Sequence, residues 1–265
     1  MYNSNRIWLA LERCQIYTNF DLTITDYPSL SSNRLQPLIT AMKILIFGAS
    51  GFIGFPAAQA LIRAGHIVYG QTRSRENVQR FEAEEIIPIV CEPESNAWHS
   101  LLPTLDVVIE ALGGTAIKQF VAASIREGVA SAAQQFRPSH APKLTYIYTS
   151  GCWVHGDNRS EIVTDTTPIT SPVELVAWRP EQEQAVLTHT TLNGIVQAKE
   201  EGKVTWPGTP GGKLSVIHAD DLADLYVRLT EKASIVGGKI FDGLRVNTST
   251  GIRQTYSRLP WAPPC

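Results

Sequence analysis

The chain has 265 residues, a formal net charge of −2 and 43% hydrophobic residues. This length is enough for one large or two small domains with a well-buried core. The sequence argues against nucleic-acid binding, because it has no basic excess and no lysine–arginine cluster. It also argues against membrane insertion, since no apolar run approaches the roughly 18 residues that a membrane span needs.

The four cysteines are scattered along the chain and form no CxxC spacing. This distribution argues against a structural zinc site and against a disulfide framework, and it fits a reducing compartment. We therefore predict a cytoplasmic protein without a bound metal.

The first 41 residues precede the first strong strand signal. Their apolar run Ile7–Leu11 is followed at once by two charged residues and by no small-residue cleavage site, so it does not resemble a signal peptide. Met42 stands directly before the first strand. We predict that residues 1–41 are an irregular extension or an incorrectly assigned start, and that the natural domain begins at Met42.

Short β-rich runs alternate with helical stretches from Lys43 onwards. The predicted strands are Ile44–Phe47, Ile67–Thr72, Ile86–Val90, Asp106–Leu112 and Leu144–Thr149. The predicted helices between them are Phe52–Ala64, Arg75–Ala83 and Ala116–Phe136. Each crossover must pack its helix back onto the sheet, so this order predicts an α/β fold with a doubly wound parallel sheet covered on both faces.

The pattern is weaker beyond Ser150. A long polar loop is predicted over Gly151–Pro172, and helices are predicted over Val173–Thr188 and Ala219–Ala233. We divide the chain into an extension over 1–41, one domain over 42–243 with a small substrate-side region at about 150–215, and an irregular tail over 244–265.

A glycine motif, GxxGxxG, lies between the first strand and the first helix, at Gly48, Gly51 and Gly54. The first glycine permits a tight turn, the second lets the backbone approach a pyrophosphate, and the third lets helix and strand pack closely. The helix N-terminus offers free N–H groups and the positive end of its dipole to phosphates. The expected dinucleotide contacts are Gly48, Ser50, Gly51, Phe52, Ile53, Gly54, Arg73, Ala111 and Gly113.

The end of the second strand favours NADP over NAD. An acidic residue at this point would bond the adenosine ribose hydroxyls and select NAD, but the chain has Gln71, followed by Arg73 and Arg75. A guanidinium can hold a 2′-phosphate through charge-assisted hydrogen bonds. The alternative interpretation is that both arginines are ordinary solvated surface residues, and NAD stays open as the cofactor.

Four segments carry a resemblance to a known family: KILIFGASGFIG, VVIEALGG, YIYTSGCWVHGD and LSVIHADDLADLY. They resemble the extended or atypical short-chain dehydrogenase/reductases, the NAD-dependent epimerase/dehydratase-like group, from about Met42 to Phe241. The resemblance implies a Rossmann fold, a bound NAD(P), and hydride transfer to or from a hydroxyl or carbonyl group of a small substrate. A homodimer is compatible with the sequence.

The catalytic residues of that family are only partly present. In such enzymes a serine after the fifth strand polarises the substrate oxygen, and a tyrosine transfers the proton with help from a lysine four residues later. Ser150 matches the serine, but none of the eight tyrosines has a lysine four positions on. Trp178 and Gln182 stand at the probable tyrosine and lysine positions, and an indole cannot act as a general acid at neutral pH.

Other groups near the polar loop could replace the tyrosine. The candidates are Tyr148, Cys152, His155 and Arg179, of which His155 is chemically the most plausible, although a lone histidine is more often structural. The connection after Val196 is short for the family, which indicates a truncated or incorrectly spliced member with a reduced substrate region. Three interpretations follow: an NADP-preferring oxidoreductase or epimerase, a non-catalytic NADP(H)-binding sensor, or a remnant that binds no ligand well.

Overall fold

The computed structural model describes residues 40–113, 119–156, 167–198 and 217–242. These residues form a parallel sheet in the order β3-β2-β1-β4-β5-β6-β7. The strands are β1 Lys43–Phe47, β2 Ile67–Thr72, β3 Ile87–Val90, β4 Val107–Glu110, β5 Thr145–Thr149, β6 Asn193–Ala198 and β7 Lys239–Asp242. The predicted tail over 244–265, almost all of the predicted extension over 1–41, and most of the short connection after Val196 lie outside the described residues.

Helices connect these strands and cover the sheet on both faces. They are α1 Gly54–Arg63, α2 Val78–Glu82, α3 Gln119–Phe136, α4 Arg179–Leu187, α5 Ala219–Glu231 and α6 Ala233–Val236. No helix of the described ranges combines the length and the hydrophobicity that crossing a membrane requires.

Alternate residues of each central strand pack into two separate cores, because successive side chains of a strand point to opposite faces. In β1, Ile44 and Ile46 lie in the core that α1 and α5 complete, whereas Leu45 and Phe47 lie in the core that α3 and α4 complete. All four side chains are fully buried. A strand buried on both faces is mostly apolar, which is why Ile44–Phe47 is a continuous hydrophobic run.

The predicted fold class is confirmed, and most elements begin and end within a few residues of their predicted limits. The structure corrects the helix that was predicted over Arg75–Ala83, since this segment begins as a 3₁₀ turn and becomes α-helical only at Val78. The helix predicted over Val173–Thr188 is also interrupted, and α4 begins at Arg179 with Pro180 in its first turn. Proline is favoured at that position because its missing N–H has no partner there in any case.

The strand order creates the edge where a ligand is expected. The chain runs outward from β1 through β2 to β3 and then returns to place β4 on the other side of β1. The helices that follow β1 and β4 therefore leave toward opposite faces, and a crevice opens at the carboxyl ends of these two strands. In open α/β sheets ligands bind at this switch point.

Candidate functional site

Gly48 makes the turn that leaves β1 at this switch point. Its φ is +76°, a left-handed conformation that favours glycine. A Cβ atom on Gly48 would lie 2.7 Å from the carbonyl oxygen of Ala111, directly after β4. The predicted cofactor residue Ala111 thus lies against the glycine turn, and Gly113, two residues on, is exposed.

The other two glycines allow the loop to fold tightly onto itself. Gly51 donates its N–H to the carbonyl oxygen of Gly48 at 3.0 Å. A Cβ atom on Gly54 would overlap the backbone of Gly48, so helix α1 can begin this close to β1 only with glycine at that position. The close packing of strand and helix that the sequence predicted for the third glycine therefore has a direct steric basis.

The N-terminus of α1 has unpaired backbone donors. The N-cap residue, Ile53, cannot accept a hydrogen bond through its side chain, and the first turn carries no acidic residue. Within the described ranges, the N–H groups of Phe52, Ile53 and Gly54 have no acceptor. The first N–H groups of a helix form the positive end of its dipole, and this end is suited to bind phosphate oxygens.

The buried side chain of Gln71 forms hydrogen bonds that hold the glycine loop in place. Its side chain is 1% exposed, its Oε1 accepts from the N–H of Gly48 at 3.1 Å, and its Nε2 donates to the carbonyl oxygen of Cys91 at 2.6 Å. The sequence analysis noted only that Gln71 stands where an acidic residue would select NAD. In the structure the Gln71 amide joins the glycine turn to the residue that follows β3.

The loop after β2 places polar side chains beside the glycine motif. Thr72 lies 3.5 Å from Ser50 between their hydroxyl oxygens, and Asn77 Nδ2 donates to Thr72 Oγ1 at 3.0 Å. Arg73 and Arg75 are exposed, and neither forms an ion pair with a described residue. Both guanidinium groups are thus accessible to a ligand from solvent, as the sequence interpretation requires.

Ser150 directly follows β5, at the carboxyl end of the sheet. The residue is 2% exposed, and its Oγ donates a short hydrogen bond to Oε1 of Glu183 in α4. Its N–H donates to the carbonyl oxygen of Gln197 in β6 at 2.5 Å. Ser150 is therefore held by hydrogen bonds to β6 and α4. It lies at the carboxyl edge of the sheet, as the sequence analysis predicted.

Helix α4 presents a different pair of residues to Ser150 than the sequence suggested. Gln182 accepts from Arg126 through Oε1 and donates to the carbonyl oxygen of Ala122 at 3.2 Å, so it contacts α3. Glu183, one position later, contacts Ser150. The residue of α4 that reaches the serine is therefore Glu183, one position after Gln182, which the sequence analysis placed at the lysine position.

Arg179 lies four residues before Glu183, on the same face of α4. Its Nη1 donates to the hydroxyl oxygen of Tyr148 at 3.1 Å and to the carbonyl oxygen of Thr149 at 3.2 Å. The guanidinium also lies 5.0 Å from the centre of the Trp178 ring. Residues four apart on a helix are neighbours, so Arg179 and Glu183 together face the end of β5.

Tyr148 is a poor replacement for the missing acid. Its side chain is 1% exposed, and burial raises the pKa of the phenol well above its usual value, although Arg179 acts in the opposite direction. The hydroxyl group therefore stays protonated near neutral pH. Of the alternative proton donors that the sequence suggested, Tyr148 is the one whose surroundings argue most directly against that role.

His155 and Cys152 are the ends of a 3₁₀ turn that directly follows Gly151. This turn is a structured segment within the range predicted as a polar loop. Both side chains are half-buried, and Gly156 reverses the chain after the turn with a φ of +68°. His155 is close to Ser150 in sequence, and the hydroxyl group of Ser150 donates its hydrogen bond to Glu183.

A second buried carboxyl group lies at the end of β4. Glu110 is 2% exposed and accepts a short hydrogen bond from the hydroxyl group of Tyr146. Burial raises the pKa of this carboxyl to about 7, although the hydrogen bond and the nearby Arg179 and Arg126 lower it. Nothing in the sequence analysis singled out Glu110, yet a carboxylate inside the apolar run VVIEAL was a visible signal.

Within the described ranges there is no cluster of three or more metal-ligating side chains. The polar groups at this edge instead divide into two sets. The glycine loop and the end of β2 offer backbone donors and exposed arginines, and the end of β5 offers the group formed by Ser150, Arg179 and Glu183.

Comparisons with known proteins give similarity in structure only. No protein-family model and no curated protein sequence matches the chain. The chain has a Rossmann-type fold. Among solved structures, a functionally unknown conserved protein from Silicibacter pomeroyi is 20% identical, with a TM-score of 0.58 over 76% of this chain and 72% of that chain.

Two further similar structures are sugar-nucleotide epimerases. UDP-glucose-4-epimerase from Stenotrophomonas maltophila, with bound NAD and formylated UDP-arabinopyranose, is 15% identical, with a TM-score of 0.58 over 76% of each chain. UDP-glucose 4-epimerase from Brucella ovis, in complex with NAD, is 14% identical, with a TM-score of 0.57 over 76% of this chain and 77% of that chain. At these identities the likeness concerns the fold.

Proposed function

We propose that the chain binds a nicotinamide dinucleotide across the carboxyl edge of its sheet and acts as an oxidoreductase or epimerase on a small hydroxyl or carbonyl substrate. The observation that carries this proposal is the glycine loop at the switch point. Its turn has no room for a Cβ atom at Gly48, and the α1 N-terminus beside it has free N–H groups. These features fit a pyrophosphate.

Different segments at this edge would bind different parts of the dinucleotide. The Gly48–Gly54 loop would hold the pyrophosphate, the loop after β2 would hold the adenosine end, and Ser150 would lie toward the nicotinamide end. A bound nicotinamide dinucleotide supplies or accepts the hydride in reactions of this type. The two similar epimerases that bind NAD support this assignment as an analogy of fold.

The first test concerns the glycine loop. A Cβ atom at Gly51 would lie 3.2 Å from the carbonyl oxygen of Gly48, on an exposed part of the loop. In Gly51→Val the added side chain occupies the space where backbone and phosphate must meet. We expect dinucleotide affinity to fall by about tenfold or more, equivalent to about 1.4 kcal/mol, in a calorimetric titration.

Gly128 provides the matched control for this change. It lies in α3, and a Cβ atom there would contact nothing within 4 Å. Gly128→Val should therefore bind the dinucleotide as tightly as the wild type. Equal affinities for Gly51→Val and the wild type would remove the glycine loop from the binding site.

We further propose that NADP is preferred over NAD, with Arg73 as the main reason. The end of β2 carries the neutral Gln71 where an acidic residue would repel a 2′-phosphate. Arg73 is exposed directly after β2 and forms no ion pair with a described residue. A charge-assisted hydrogen bond from this guanidinium is expected to favour NADP by about tenfold, and less at high salt.

Titrations of the wild type, Arg73→Ala and Arg75→Ala with NADP and NAD measure this preference. We expect Arg73→Ala to lose most of the roughly tenfold ratio and Arg75→Ala to keep it, because Arg75 lies two residues further from the strand. An unchanged ratio in Arg73→Ala would show that this arginine is ordinary surface.

The second candidate function is a non-catalytic sensor that binds NADP(H). It is favoured by the residues at the expected proton-transfer positions, since neither the indole of Trp178 nor the amide of Gln182 can supply a proton at neutral pH. A panel of ketones and aldehydes with NADPH separates the two functions. Oxidation of NADPH above the protein-free rate would support the enzyme, whereas dinucleotide binding without turnover on any member would support the sensor.

A further inference from the structure

We propose that Glu183 holds the proton that Ser150 exchanges with the substrate, and that it thereby replaces the tyrosine that this chain lacks. The proposal rests on the proposed dinucleotide-dependent function. It assigns the acid–base step to a carboxyl group on α4 that reaches the substrate oxygen through the hydroxyl group of Ser150, and it makes Glu183 a proton-relay residue.

The geometry that supports this role is the short hydrogen bond from Ser150 Oγ to Glu183 Oε1. Both residues are almost fully buried, at 2% and 4% exposure, so water competes little for this bond. A serine hydroxyl has one proton and two lone pairs, so while it donates to Glu183 it can still accept a proton from a substrate hydroxyl. The chain leaves the core directly after Ser150, where Gly151 is half-buried and Trp153 is exposed.

Three described residues around this group are unsuited to exchange a proton near neutral pH. Arg179 stays charged, and the phenol of Tyr148 is kept protonated by burial, which raises its pKa. Gln182 contacts α3 and does not titrate. Glu183 combines contact with Ser150 and a carboxyl group.

The pKa of Glu183 is raised, and opposing influences act on it. Burial raises the pKa of its carboxyl group, while the hydrogen bond from Ser150 and the charge of Arg179 lower it. From β5 the neutral Tyr148 faces this group, and on the α3 side Arg126 is bonded to Gln182 and Glu127. A carboxyl group with a pKa moved toward neutrality is a suitable general acid or base.

The proposed step balances in both directions. For oxidation of an alcohol, the substrate hydroxyl proton moves to Ser150 Oγ while the proton of Ser150 moves to the Glu183 carboxylate. The hydrogen of the substrate C–H bond leaves with its electron pair as a hydride, and the oxidised nicotinamide dinucleotide is the oxidant. For reduction of a carbonyl, the protonated Glu183 returns the proton through Ser150.

A test that needs no substrate uses the two redox forms of the cofactor. Oxidised nicotinamide carries a positive charge that the reduced ring lacks, so an ionised carboxylate near Ser150 should favour NADP⁺ over NADPH. The affinities of both forms are measured by calorimetry between pH 6 and 9. The 2′-phosphate titrates in both forms and cancels in their ratio.

In the wild type we expect the preference for NADP⁺ over NADPH to increase by about five- to tenfold as pH rises, as Coulomb attraction across a partly screened site predicts. Glu183→Gln keeps an acceptor for Ser150 but cannot ionise, so its ratio should not depend on pH. Glu174→Gln removes an exposed glutamate just before α4 and should behave as the wild type. Glu110→Gln should also keep the dependence.

The alternative is that the Ser150–Glu183 bond only joins α4 to β5. In that case the ratio has the same pH dependence in Glu183→Gln as in the wild type, or depends on Glu110 instead, and the proposal is overturned. If neither NADP⁺ nor NADPH binds the folded wild type, the proposed function itself fails, and this result is distinct from the previous one. Circular dichroism of each variant confirms that the fold is retained.

Discussion

Replacing Gly48 with alanine is expected to destabilise the protein by about 2–5 kcal/mol. Two effects add: an L-residue at a φ of +76° costs about 1–2 kcal/mol, and a Cβ atom 2.7 Å from the carbonyl oxygen of Ala111 forces the backbone apart at about 1–3 kcal/mol. The neighbour is main chain of the strand end, so it cannot move aside as a flexible side chain would. Urea denaturation measures this change in the free energy of unfolding.

Gly65 separates these two effects, because it has a φ of +88° but nothing within 4 Å of its Cβ position. It ends α1, where the N–H of His66 returns to the carbonyl oxygen of Leu61. Gly65→Ala should therefore cost only the conformational part, about 1–2 kcal/mol. Equal losses for Gly48→Ala and Gly65→Ala would show that the contact with Ala111 is not what requires glycine at the end of β1.

The stability of the wild type is expected to decrease as pH rises through the range from about 4.5 to about 7, because of Glu110. The folded state raises the pKa of this carboxyl from 4.5 to about 7, mainly through burial. Below both values the group is neutral in both states. Between them the unfolded chain loses the proton while the folded chain keeps it, so ΔG of unfolding falls, by about 2–4 kcal/mol in total.

Glu110→Gln should remove this decrease, because the amide stays neutral and its oxygen can still accept from Tyr146. The measurement is urea denaturation of both proteins at pH 4.5 and pH 8, with the exposed Glu82→Gln as a control for loss of a carboxylate. The wild type should lose about 2–4 kcal/mol more stability than Glu110→Gln over this interval. Parallel pH profiles would mean that Glu110 is ionised in the folded protein.

The alternation of apolar and helical segments was sufficient to predict the parallel sheet, and β2 was predicted with its observed limits. The central strands β1, β4 and β5 are almost entirely buried, so their largely apolar runs are easy to find. The five predicted strands did not include β6 or β7; β7 is missed because KIFD is short and its position beside β6 depends on pairing across a long sequence distance. The 3₁₀ turn over Cys152–His155 had no periodic signal of its own.

The glycine loop could be predicted because its chemistry is local, whereas the residues around Ser150 depend on the rotation of α4. Matching the chain to a family motif selected Trp178 and Gln182. Counting back from the buried Val186 by helical steps gives Gln182 and Glu183, and then Arg179, which are residues on the buried side of the helix. Sequence alone could not tell that Gln182 faces α3 and that Glu183 faces β5.

Gln71 shows a similar limit. It lies near the end of β2 as predicted, but the oxygen and the nitrogen of its side-chain amide both find partners within the fold, on Gly48 and Cys91. A polar side chain at a strand end can turn toward a ligand or toward the loop above it. The choice depends on which backbone groups of neighbouring strands lack partners, and this information is three-dimensional.

Amide chemical shifts of ¹⁵N-labelled protein during titration with NADP⁺ are the sharpest test of the proposed dinucleotide site, because they report both binding and its location. We expect saturable shifts that are largest at Gly51, Phe52, Ile53 and Gly54, with further shifts at Arg73 and Ser150. Shifts confined to residues away from the carboxyl edge of the sheet, or no shifts at millimolar NADP⁺ in the folded protein, would contradict it.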